Sequence, residues 1–178
     1  MRTLIPTKKR KKILEIIVFN PTRKLAVREL ATISGASPAS VSLFLKALEK
    51  DGFVKKGILN LENPEVRALK LFFNVERAHP LYEKLRKKYG IAGMGLYGSW
   101  ARGENVEESD LDLWIRVTRE PGAVKASEIR RIVKEGAGVA NASIIFLTEE
   151  KLAKIKESDG AFYSTLFHSF LIGGEGIA

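Results

Sequence analysis

The chain of 178 residues contains no cysteine, which excludes disulfide frameworks, thiolate zinc sites and thiol nucleophiles together. Histidine is almost missing as well: His79 and His168 stand 89 positions apart and make a poor zinc set. No apolar run approaches the roughly 18 residues that a membrane helix needs, and the opening MRTLIPTKKRKK puts charge ahead of any apolar stretch. The expectation is a protein of the reducing cytoplasm with neither signal peptide nor membrane helix. At 45% hydrophobic residues the chain can still bury a sizeable core, as one large or two small domains.

Acidic residues are scarce in one place only. Residues 1–60 hold 13 Lys and Arg against 4 Asp and Glu, whereas residues 61–178 hold 17 of each, so the entire net charge of +9 lies in the first third. A basic segment on an otherwise neutral protein reads as a surface for a polyanion, or as a solvated lysine cluster at a terminus.

Within that third, Thr7 is a cap and Lys8–Phe19 carries Ile13, Ile16 and Ile17 on one stripe, which predicts an amphipathic helix ending before Asn20-Pro21. Leu25–Val27 suits a brief strand and Arg28–Ser34 a short helix closed by Gly35. Ser37-Pro38, a cap followed by proline at the first helical position, opens a helix with Val41, Leu45 and Leu48 inward, ended by Asp51-Gly52. Residues 53–61 then read as a small hairpin.

Two short helices around a glycine turn and a hairpin, over residues 8–61, resemble the winged helix-turn-helix of prokaryotic transcription regulators. That resemblance implies duplex DNA as partner. The helix from Pro38 would enter a major groove with Ser37, Ala39, Ser40, Ser42 and Lys46 outward, and Lys55 and Lys56 on a short wing would lie near phosphates. None of the outward residues is an arginine or asparagine that reads a base bidentately. Such modules also serve protein docking and dimerisation, which keeps a homodimer open.

Asn63-Pro64 begins a helix with Val66, Leu69, Phe72, Phe73 and Val75 on a broad apolar face, and Pro80 begins another with Leu81, Leu85 and Tyr89. The expected layout is an N-terminal domain over 1–62, connecting helices over 63–90 and a second domain over 91–178.

The second domain is organised around GLYGSWARGENVEESDLDLWI, residues 95–115. Met94–Tyr97 is a short buried strand closed by Gly98, and Ser99 caps a one-turn helix starting near Trp100. A strand, a tight turn and a helix start point free N–H groups outward and make a seat for phosphate oxygens, to which Arg102 adds a charged donor. From Asp110 to Ile115 carboxylates alternate with apolar residues, so a strand sends Asp110 and Asp112 to one face. Like charges side by side are best tolerated around a divalent cation. Phosphate seat and metal face together point to phosphoryl chemistry.

Gly98-Ser99, ten intervening residues, then Asp110-Leu111-Asp112-Leu113 resembles the signature of the DNA polymerase beta-like nucleotidyltransferases. Ser99 to Arg102-Gly103 and Ser109-Asp110 are most similar to their minimal nucleotidyltransferase branch. The resemblance implies an α/β (α+β) two-domain chain whose C-terminal part is a mixed sheet flanked by helices. It implies nucleotide binding by Gly98, Ser99 and Arg102, Mg2+ (or Mn2+) on catalytic Asp110 and Asp112, and transfer of AMP or another nucleoside monophosphate from ATP or another nucleoside triphosphate. The acceptor would be a hydroxyl of a nucleic acid or a protein, such as a partner toxin, as in antitoxin-like members.

Further on, Ser127–Glu135 is predicted as a helix, Ala142–Leu147 as a third strand, Thr148 as a helix start, and Phe162–Phe170 as a last apolar helix before the glycine-rich tail. Family members carry a third carboxylate on that strand, and here the register puts Ser143 in its place, with no acid between Gly136 and Thr148. Glu149, Glu150, a partner's residue or the substrate's own phosphates are the remaining sources of ligands. The alternative reading is a DNA-binding regulator whose C-terminal domain binds nucleotide or a partner without turnover.

Overall fold

A computed structural model describes residues 7–177; residues 1–6 and Ala178, the outermost parts of the two expected domains, lie outside them. The chain forms two compact units divided between Phe73 and Asn74.

In the first unit, helices α1 (Lys8–Phe19), α2 (Val27–Ser34) and α3 (Pro38–Lys50) precede a hairpin of β1 (Val54–Lys55) and β2 (Ile58–Leu59). Thr7 caps α1 by accepting from the Arg10 N–H, and Ser37 caps α3 by accepting from the Ser40 N–H with Pro38 behind it. Leu25 and Ala26 form no strand: Ala26 is the extended cap of α2, and Gly35 ends that helix in the left-handed region. Lys56 and Gly57 both have positive φ, 54° and 84°, which is the two-residue turn that matches strand twist. Ile13, Leu14, Leu30, Val41, Phe44 and Leu48 form the core.

One helix, α4 (Pro64–Tyr89), replaces the two expected across Pro80. Pro80 removes a single helical hydrogen bond at an exposed position, while Ala78, Leu81, Tyr82 and Leu85 stay buried on the stripe around it. The part of α4 up to Phe73 belongs to the first unit and the part from Asn74 to the second. Phe73 is buried against Phe19, ring centroids 6.5 Å apart, whereas Phe72 leaves the expected apolar face and is exposed.

The second unit is a four-stranded mixed sheet in the order β5-β4-β3-β6, with β3 (Gly93–Leu96), β4 (Leu111–Arg116), β5 (Ala142–Leu147) and β6 (Phe170–Gly174). β3 runs antiparallel to both β4 and β6, and β4 is parallel to β5. The connections hold α5 (Gly98–Arg102), α6 (Ala123–Ala137), α7 (Glu149–Ser158) and α8 (Gly160–Phe167). The expected last helix therefore stops at Phe167, and Phe170 begins an edge strand instead. Its apolar run gains more by pairing with the open side of β3 than by another helical turn. Gly95 faces Trp114 across β3 and β4, and a Cβ at Gly95 would come within 2.3 Å of the indole, so the glycine makes room for the largest side chain of the core.

No helix among the described residues is long and apolar enough to cross a membrane.

Candidate functional site

β3 delivers the chain to Tyr97, which is extended at φ −131° and whose N–H donates to the Asp112 carbonyl over 3.1 Å. The chain then reverses at Gly98, φ +66°. A Cβ there would lie 2.2 Å from Asp112 Oδ2, so both conformation and space demand glycine. The turn is thus packed directly on the Asp112 carboxylate.

Helix α5 begins at Gly98 with Tyr97 as its cap, so Ser99 sits inside the helix rather than capping it. At five residues α5 has little macrodipole, and what it can offer a phosphate is local N–H groups and the Ser99 hydroxyl. Gly103, φ 66°, closes the turn. Arg102 is 61% exposed and donates from Nε to Glu104 over 2.7 Å. In the loop that follows, the Val106 N–H donates to the Ser109 hydroxyl and the Ser109 N–H to the Val106 carbonyl, which fixes the approach to Asp110.

Strand β4 starts at Leu111, one residue after the expected start at Asp110. Asp110 is exposed at its mouth and Asp112 half-buried inside it. Burial, then the charge of Asp110, push the Asp112 carboxyl above its ordinary value, and Arg102 partly offsets them. The two carboxylates and the guanidinium therefore share one field. Ser143 lies directly opposite Asp112 in the parallel β4–β5 register. The Tyr97 hydroxyl reaches this pair: burial raises its pKa, a hydrogen bond to Ser143 lowers it, and Asp112 raises it again.

Glu149 and Glu150 do not complete the set. Glu149 is ion-paired to Arg116, at the other end of β4, about 13 Å along the strand from Asp112 at 3.3 Å per residue. Among the described residues no three His, Cys, Asp or Glu side chains gather to hold a metal. Two neighbouring carboxylates, their repulsion only partly offset by Arg102, still fit Mg2+, which binds through one or two carboxylates and takes its other ligands from water and substrate phosphates.

Two amides that the sequence reading missed support this geometry. Asn74, fully buried on α4, donates to the Trp100 carbonyl in α5 over 2.8 Å and to Asn105 Oδ1 over 2.9 Å. It thereby ties the turn to the loop leading to Asp110. The available signal was a polar residue beside Phe73 on an otherwise largely apolar stripe, one turn after the equally buried Lys70.

On the first unit, Ala39, Ser40 and Lys46 are exposed along α3 and Ser42 is half-buried. The Ser37 hydroxyl is occupied as the helix cap. Lys55 pairs with Glu62 over 3.3 Å, and Lys56 is exposed at the wing turn.

Residues 81–161 match the family model described as nucleotidyltransferase domain, and residues 6–55 the one described as winged helix-turn-helix DNA-binding. Among curated proteins the chain is similar to "Protein adenylyltransferase MntA" of Thermococcus cleftensis. The two are 30% identical over 57 residues, which is 32% of this chain and 58% of that protein's length.

Proposed function

We propose that this chain, which carries a nucleotidyltransferase domain behind a winged helix-turn-helix domain, transfers a nucleoside monophosphate, AMP first among them, from a nucleoside triphosphate to a hydroxyl. The observation that supports this reading is the packing of the Gly98 turn on the Asp112 carboxylate, two residues from Asp110. The N–H groups and hydroxyl around Gly98 and Ser99 bind triphosphate oxygens, and Arg102 swings from Glu104 to a phosphate. Asp110 and Asp112 would hold Mg2+ or Mn2+, whose positive charge would offset that of the phosphates as pyrophosphate leaves. Ser143 and Tyr97 orient a hydroxyl by hydrogen bonding; Ser143 is no proton acceptor of carboxylate strength.

A protein hydroxyl, such as one on a partner toxin, is the favoured acceptor, supported by the likeness to a protein adenylyltransferase. Labelled ATP with a panel of protein and RNA acceptors tests it: label transfer that requires both Mg2+ and Asp110 is expected, and transfer surviving Asp110→Asn overturns it.

A second reading rests on Ser143 standing opposite Asp112. Without a third carboxylate the domain binds nucleotide and does not turn it over, and the basic N-terminal unit binds duplex DNA as a regulator. Nucleotide affinity without transfer, together with DNA binding that falls steeply with salt, distinguishes it.

A further inference from the structure

We propose that the winged helix-turn-helix unit holds a binding site for a small amphipathic carboxylate, an apolar body with one anionic end. A cavity of about 330 Å³ opens between α2, α3 and the hairpin, within the range of small-molecule pockets and with room for about ten methylene- or water-sized groups. Its floor is apolar: Ile17, Val27, Leu30, Leu45 and Val54.

Its rim is cationic. Arg23, Lys24 and Lys46 stand there against one acid, Glu49. Arg23 is engaged by Glu29 over 2.9 Å, which leaves Lys24 and Lys46 without a carboxylate partner among the described residues. The stem of Lys24 crosses the wing turn at Gly57, where a Cβ would come within 2.8 Å of Lys24 Cε. Glycine at that turn therefore admits the lysine to the cavity.

A neutral apolar ligand would draw nothing from the two exposed ammonium groups at the rim, and a phosphodiester has no apolar body to cover the floor. A carboxylate on a chain satisfies both. Bound there, it also takes Lys46 from any other anion on α3.

The test uses the full chain, decanoate as probe, and 1-decanol and decylammonium as the uncharged and oppositely charged controls. Methyl NMR is expected to show saturable shifts at Val27, Leu30, Leu45 and Val54, with both controls bound roughly tenfold more weakly. Lys24→Gln should weaken decanoate about fivefold and leave decanol unchanged. Ala26→Trp, at an exposed lining position with extended backbone, should abolish the shifts.

Equal affinity for the three probes overturns the proposal, as does the absence of saturation below the micellar limit. So do shifts that persist in an Ala26→Trp variant melting like wild type. If that variant melts early, Lys24→Gln decides, and an unchanged ratio of decanoate to decanol affinity is the overturning result.

Discussion

Asp112 faces Ser143 across the parallel strands β4 and β5, so the carboxylate that burial and Asp110 push toward protonation meets a hydroxyl where a charged ligand would complete a metal site.

Ser143→Asp follows directly. A third carboxylate beside Asp112 adds like-charge repulsion on adjacent strands, so the metal-free protein should lose about 0.5–1 kcal/mol. Mg2+ should restore that loss, and metal affinity by calorimetry should rise roughly tenfold. Unchanged affinity would separate Ser143 from the metal face.

Asp112→Asn should leave the metal-free protein as stable as wild type or slightly more so. The sign comes from the raised pKa: a carboxyl that protonates more readily folded than unfolded is a destabilising charge at neutral pH. That penalty is relieved as pH falls through the raised value toward the ordinary aspartate range, and the variant should lack this gain. Partial exposure screens the effect, so the melting temperature should rise by no more than about 2 °C. Melts with and without Mg2+ and ATP should show ligand stabilisation in wild type alone.

Gly98→Ala combines a backbone cost with a clash. The positive φ alone costs roughly 1–2 kcal/mol, and the new methyl lands on Asp112 Oδ2. Nucleotide binding should fall with stability. In the Gly98→Ala/Asp112→Ala double variant the clash is gone, so chemical denaturation should give a smaller loss than the sum of the single changes.

Asn74→Ala takes the Asn74 donor from Asn105 Oδ1 inside the protein and leaves the Trp100 carbonyl with the Gly103 N–H alone. Denaturant titration should register a loss of roughly 1–3 kcal/mol, from a buried acceptor deprived of its donor. Asn74→Asp should be no milder, because a carboxylate cannot donate to either oxygen.

If Lys46 and Lys56 contact phosphates, replacing either by Ala should weaken duplex DNA binding evenly across sequences. Each change should reduce the salt slope of binding by about 1. A loss confined to one sequence would instead assign a base contact.

Much of the fold was legible in the chain because its signals are local. Thr7 and Ser37-Pro38 announced α1 and α3 through caps that act within one turn, and the short apolar run Ala142–Leu147 marked β5 within its own six residues. The tight turn at Gly98 and the two aspartates were equally readable, since glycine followed by alternating acids constrains backbone and face over a few positions.

What the tertiary structure decided depends on partners far away in sequence. The apolar run Phe162–Phe170 reads as one helix, yet the helix stops at Phe167 and Phe170–Gly174 becomes a strand because β3 has an open edge to pair with. Pro80 reads as a helix start, and the buried side chains on both sides of it carry α4 through. Glu149 was a candidate ligand until the parallel register carried it to the far end of β4 and gave it to Arg116. Asn74 is marked locally only as a polar residue on an apolar stripe, and its partners Asn105 and Trp100 lie 31 and 26 residues away. Caps, turns and alternation are energies of neighbouring residues and are written in the sequence; strand pairing and buried amide contacts are energies of groups that meet only once the chain has folded.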